Sequence, residues 1–179
     1  MRAKVLEPII FLAILVIAVV VGNAYWSRTN HEVRAAAPQV TRAVDNLPLQ
    51  QAIFDAAETF GRGKCGNYLL AEKIGRQALK DGVPASLLAA IAQTESNCNS
   101  LAISNKGAVG LMQIRVSAWN KTVDFARVNL FDEEQNLATG SAILKGLIKS
   151  RGSIRGAVLG YNCNDVEYAD QVLKLAAIR

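Results

Sequence analysis

From Pro8 to Ser27 the chain runs for 20 residues without a charged side chain, and every residue from Ile9 to Val21 is apolar. As an α-helix this stretch spans about 30 Å, the thickness of a bilayer's hydrocarbon core. No polar face interrupts it, so it does not suit a helix lying half-exposed on a globular domain. Tyr25 and Trp26 stand at its far end, where aromatic rings anchor at a membrane interface. Arg2 and Lys4 precede it and Arg28 and Arg34 follow it, so charge does not decide its orientation. A cleaved signal peptide is the alternative, with Gly22 and Ala24 as a small-residue cleavage site, although the apolar run is long for that purpose. The expected division is a transmembrane anchor at residues 5–26, a linker at 27–45 without apolar period, and one folded domain at 46–179.

Helical signals dominate the folded part. Pro48 can open a helix whose Leu49, Ile53, Ala56 and Phe60 share a face, closed by Gly61. Asn67 can cap a second helix carrying Leu70, Ile74 and Ala78 and ending at Gly82. Pro84 suits the first position of a third, running to Ser96. Asp132 with Gln135 resembles a capping box at the start of a long helix through Leu137, Leu144 and Ile148, stopped by Gly152. A short helix around Ile154–Tyr161 and a last one capped by Asp165 complete the set. Between Asn97 and Asn120 the helical period fails, and Gly107 and Gly110 suggest loops or a small hairpin, then a turn of helix at Val116–Lys121. Strands and helices do not alternate, so no doubly wound sheet is expected. The reading is a mainly α domain with a groove walled on one side by the 97–120 segment. Gly61, Gly63 and Gly66 fit the spacing G-x-G-x-x-G, but an amphipathic helix precedes them where the dinucleotide motif needs a strand.

Within the third helix one residue breaks the pattern. At about 100° per residue, Glu95 falls between Leu88 and Ile91 on the helical wheel. Its carboxyl group therefore points toward the protein, unless it snorkels to solvent from the helix end. Loss of hydration disfavours the charged form and raises the pKa, which is how a protein keeps a carboxylic acid ready as a proton donor. Much other chemistry is excluded. The only histidine, His31, lies in the linker, so the folded part lacks the imidazoles of zinc hydrolases and of Ser-His or Cys-His nucleophilic machinery. No cofactor and no metal is expected. The net charge of +5 is dispersed and not interleaved with aromatics, so no nucleic-acid partner is expected, though it suits an anionic polymer. Two-carboxylate glycoside hydrolysis is also disfavoured, because Ser96–Val123 contains no Asp or Glu. Asp124, Asp132 and Asp165 remain able to reach in from elsewhere. A reaction that one carboxyl group performs alone, first as acid and then as base, fits best.

Glu95-Ser96, Ala102-Ile103-Ser104, Lys106 to Ile114 with its Gly107-Ala108-Val109-Gly110-Leu111-Met112-Gln113 core, Asn136 with Gly140, and Gly160-Tyr161-Asn162 follow one another in the order and spacing of a known family. Over Leu87–Asn162 the chain resembles the soluble-type lytic transglycosylases of the lysozyme-like superfamily. The resemblance implies a lysozyme-like fold of the goose-type and transglycosylase kind, with peptidoglycan strands as substrate and Glu95 as the catalytic acid. It implies substrate-binding roles for Ser104, Met112, Gln113, Tyr161 and Asn162, although core packing explains Met112 and Tyr161 equally well without the motif. It implies a catalytic domain outside the cytoplasm, on the periplasmic side or in a virion membrane. There it would serve phage infection or lysis, or a secretion or conjugation assembly. A muramidase of the same fold and a non-catalytic wall-binding scaffold remain open. Two departures stand out: Arg115-Val116 replaces a Met-Pro-type turn, and Cys163-Asn164 follows Tyr161-Asn162 where the family has Ala-Gly. If the Glu95 and Tyr161 motifs meet at one site, Cys98–Cys163 is the favoured disulfide; three separate buried thiols are the alternative.

Overall fold

The computed structural model describes residues 47–63, 65 and 68–178. The expected anchor and linker at 5–26 and 27–45, and Asn67 as a helix cap, lie outside the described residues. No helix among the described residues is long and apolar enough to cross a membrane.

Seven helices and one two-stranded hairpin make up the described part. They are α1 (Leu47–Gly61), α2 (Tyr68–Asp81), α3 (Ala85–Ser96), β1 (Ala108–Val109), β2 (Ile114–Arg115), α4 (Val116–Trp119), α5 (Glu133–Arg151), α6 (Ile154–Tyr161) and α7 (Val166–Leu175), with a single 3₁₀ turn at Phe125–Arg127. The apolar positions read from the sequence face inward. Ala56 and Phe60 of α1 and Leu70, Ile74 and Ala78 of α2 are buried. Helix α3 is the hub, packed against α1, α2 and α7, and every residue from Leu87 to Ala92 is fully buried. An alanine-rich helix suits that place, because small side chains let three neighbours approach at once.

The helix ends follow their capping residues. Asp132, Ser153 and Asp165 accept hydrogen bonds from the backbone N–H three residues on, opening α5, α6 and α7. The capping box is only half formed: Gln135 Oε1 accepts from Asn129 N rather than Asp132 N, so it fastens the preceding loop instead. Pro84 is the N-cap of α3, one position earlier than expected. At the other end Asn97 and Cys98 are both left-handed, with φ of 50° and 60°, and their N–H groups close on Gln93 O and Ala92 O. That reversal throws the chain from α3 into the hairpin segment.

β1 and β2 pair antiparallel, Ala108 with Arg115 and Val109 with Ile114, and Ile103 bridges to Val109. The expected hairpin and the following helical turn are therefore both present. Asn136 pins the hairpin to α5. Its side chain accepts from Met112 N at 2.8 Å and donates to Val109 O at 2.9 Å and Leu130 O at 2.8 Å. Gly110 sits against that amide with φ of 78°, and a Cβ there would collide with Asn136 Nδ2 and Leu130 O. Only glycine meets both demands.

One expected linkage is wrong. The disulfide joins Cys65 to Cys98, with Cα atoms 5.9 Å apart, and Cys163 is a free, exposed thiol. Because α2 and α3 pack together, Cys65, three residues before α2, meets Cys98, two residues after α3. Cys98–Cys163 is excluded, since Cys98 is already paired.

Candidate active site

Glu95 occupies the last turn of α3, below the fully buried Leu88 and Ile91. The wheel position places it as expected, but the helix ends one residue later, so its carboxyl group emerges half-buried into a groove of about 660 Å³. Ser96 locks this helix end: its hydroxyl donates to Leu111 O at 2.7 Å and lies 3.0 Å from Ala92 O.

Four of the five expected substrate-binding residues line the same groove: Ser104, Gln113, Tyr161 and Asn162. Ser104 closes the turn into β1, its hydroxyl accepting from Ala108 N at 3.0 Å. Gln113 is held at φ of 47° by its own amide, which donates to Gly110 O and Ala102 O at 3.0 and 3.2 Å. Tyr161 is buried, donates to Met112 O at 2.9 Å, and sets its ring 6.1 Å from that of Trp119 at a 34° tilt.

Met112 is the exception. It is fully buried and does not line the groove. Its thioether rests where a Cβ on Gly140 would stand, so the side chain is core and only its backbone serves the site, by fixing Tyr161 and Asn136. A flexible apolar side chain in a loop gave no sign of which way it would turn.

Three contributors were not foreseen as site residues. Trp119 lines the groove from α4. Arg115 lines it from β2. Tyr168, on α7, donates its hydroxyl to Glu95 Oε1 at 2.6 Å. Asp165 lines the groove as well, but its carboxylate accepts from Tyr168 N at 3.0 Å, so it fixes the helix turn that aims Tyr168. Lone polar residues 73 positions apart leave no pattern that sequence reasoning can use.

Burial raises the Glu95 pKa above the ordinary carboxylate value, and the Tyr168 hydrogen bond, which favours the charged form, offsets part of that rise. Tyr168 is itself pushed upward by burial and then by the Glu95 charge. Tyr161 is raised well above the usual phenol by burial and then by Glu95. Both phenols therefore stay protonated and act as donors. Glu95 holds its proton more readily than a solvated carboxyl group, yet keeps a partner that stabilises it once ionised. Among the described residues no group of three His, Cys, Asp or Glu is placed to hold a metal ion.

Residues 72–174 match the family model described as the transglycosylase SLT domain, and the chain belongs to that family. The match takes in α3, the hairpin and Tyr168, so the whole groove lies inside it. Among known proteins the chain is 38% identical over 81 residues to a membrane-bound lytic murein transglycosylase C of Edwardsiella ictaluri, covering 41% of this chain and 23% of that protein. It is 33% identical over 91 residues to a transglycosylase of Enterobacteria phage PRD1, covering 51% and 33%. A membrane-bound lytic murein transglycosylase C of Yersinia pestis is 36% identical over 105 residues, covering 50% and 29%. The matched part thus spans about a quarter to a third of each relative's length.

Proposed function

We propose that the protein is a peptidoglycan lytic transglycosylase with Glu95 as its catalytic acid and base. The observation that carries this reading is a half-buried carboxyl group of raised pKa, opening into a groove and held by a single tyrosine hydroxyl. Family membership supports the reaction class, and the bacterial and phage relatives, themselves transglycosylases, agree with it.

Protonated Glu95 gives its proton to the β-1,4 glycosidic oxygen between N-acetylmuramic acid and N-acetylglucosamine, and the C1–O bond breaks. The substrate's acetamido oxygen stabilises the positive charge left at C1. Glu95, now ionised and stabilised by Tyr168, takes the proton of the muramic acid C6 hydroxyl. O6 then closes onto C1, giving a 1,6-anhydro ring and returning Glu95 to its acid form without consuming water. One group thus works in both directions. Ser104, Gln113 and Asn162 offer polar contacts to the sugars, while Tyr161 and Trp119 offer flat apolar faces.

A muramidase is the second reading, because Asp165 puts a second carboxylate on the groove. Its capping bond to Tyr168 N favours the structural role. The apolar residues 9–21 and the membrane-bound relatives support a membrane-anchored enzyme acting outside the cytoplasm. The phage relative supports local wall opening during infection or lysis. A secretion or conjugation assembly is the other setting that suits a small anchored wall-cutter.

Glu95→Gln tests the assignment. Wall clearing should fall by about a hundredfold to ten-thousandfold, the scale set by loss of acid–base catalysis. Retained clearing removes Glu95 from the mechanism. Stability should not suffer: the folded state raises the Glu95 pKa, so ionised Glu95 costs stability as pH rises through that pKa, and a neutral amide avoids the cost.

A further inference from the structure

Two cations line the groove and take no part in the mechanism above. Arg115 and Lys106 both belong to the hairpin wall. Strand alternation explains the first: Ile114 is fully buried, so Arg115 faces the opposite way, beside its cross-strand partner Ala108, and both line the groove. Ala108 is small and leaves the guanidinium room. Among the described residues neither cation makes an ion pair, although Arg62, Lys73, Arg76 and Arg155 all do. The half-buried Arg115 reaches Cys163 Sγ at 3.9 Å, a weak acceptor for a group with five N–H donors. The anionic groups on the same groove do not neutralise it. Neither carboxyl group makes an ion pair with Arg115: Glu95 is bonded to Tyr168, and Asp165 to Tyr168 N.

We infer that Arg115, with Lys106 beside it, forms an anion subsite on the hairpin wall that takes a free carboxylate of the peptide stem carried by the glycan strand. This deepens the proposed function and rests on that reading of the groove. The sugar rings of the substrate bring no charge. Its carboxylates sit on the stems, which leave the strand at each muramic acid and must pass along a wall of the groove when that sugar lies at Glu95. An arginine fork matches a carboxylate with two parallel hydrogen bonds, which neither Gln113 nor Ser104 supplies. The subsite therefore selects strands whose stems keep their carboxylates free over strands whose stems are amidated.

Binding tests this without relying on cleavage. Full-length Glu95→Gln protein is titrated calorimetrically with glycan fragments bearing stems whose carboxylates are either free or amidated. The free form should bind about tenfold more tightly, the scale of one charge-assisted contact at a half-exposed site. Adding Arg115→Gln should raise the Kd of the free form about tenfold and leave the amidated form within about twofold. Arg115→Lys should recover part of the preference. Arg155→Gln removes the same charge from an exposed pair with Asp170, off this groove, and should keep the full preference. Equal binding of the two forms, or a preference that survives Arg115→Gln, overturns the subsite. Cleavage by the wild type is scored separately, so an absence of anhydro product would refute the enzyme while the binding preference still decides the subsite.

Discussion

Asn136→Ala should unfasten the hairpin from α5. The side chain is fully buried and makes three hydrogen bonds, to Met112 N, Val109 O and Leu130 O, at 2.8–2.9 Å. Alanine leaves one N–H and two carbonyl groups without those partners. Each such group costs about 1–3 kcal/mol when buried. Val109 O lies in a part-buried bond and regains some hydration, so the total is about 4 kcal/mol. In a domain of this size 1 kcal/mol shifts Tm by roughly 3–5 °C, so Tm should fall by about 15 °C. The loss should also reach activity below the new Tm, because Met112 supplies the carbonyl that holds Tyr161. Asn136→Asp keeps an acceptor for Met112 N but loses both donors and buries a charge, so it should rescue nothing. Circular dichroism melts with wall clearing at a low temperature check this. A Tm drop under about 3 °C with normal clearing would refute the bridge.

Tyr168→Phe removes the donor that favours ionised Glu95, leaving burial to dominate, so the Glu95 pKa rises further. Since the acid must be protonated, the alkaline limb of kcat/KM should move to higher pH; an unmoved or lowered limb contradicts the contact. The Cys65–Cys98 disulfide closes a loop with a sequence separation of 33, which by chain entropy contributes about 3–4 kcal/mol. Cys98→Ser should therefore lower Tm by roughly 10–15 °C, and thiol titration of the unreduced, denatured wild type should find one thiol, Cys163. Two further thiols would disprove the pairing.

The parts of this fold that were legible in sequence are those set by local chemistry. Asp132 before a run carrying Leu137, Leu144 and Ile148, with Gly152 as the stop, marks out α5, and the structure has Asp132 as its N-cap and Gly152 as its C-cap. Leu88 and Ile91 on either side of Glu95 on the wheel gave a carboxyl group on a buried face, and both neighbours are fully buried. What stayed hidden depends on how distant segments meet. Met112 turns inward because Gly140 lacks a side chain on α5. Cys98 pairs with Cys65 because α2 and α3 pack together, a fact that motif adjacency does not carry. Tyr168 reaches Glu95 only through the packing of α7 on α3.

The most direct measurement is mass spectrometry of the muropeptides that the full-length protein releases from purified wall. Ring closure by O6 predicts sugar ends lighter by one water than hydrolysis leaves, and none from Glu95→Gln. Release of reducing ends alone would mean that water attacks C1, and the single-carboxylate account would be wrong.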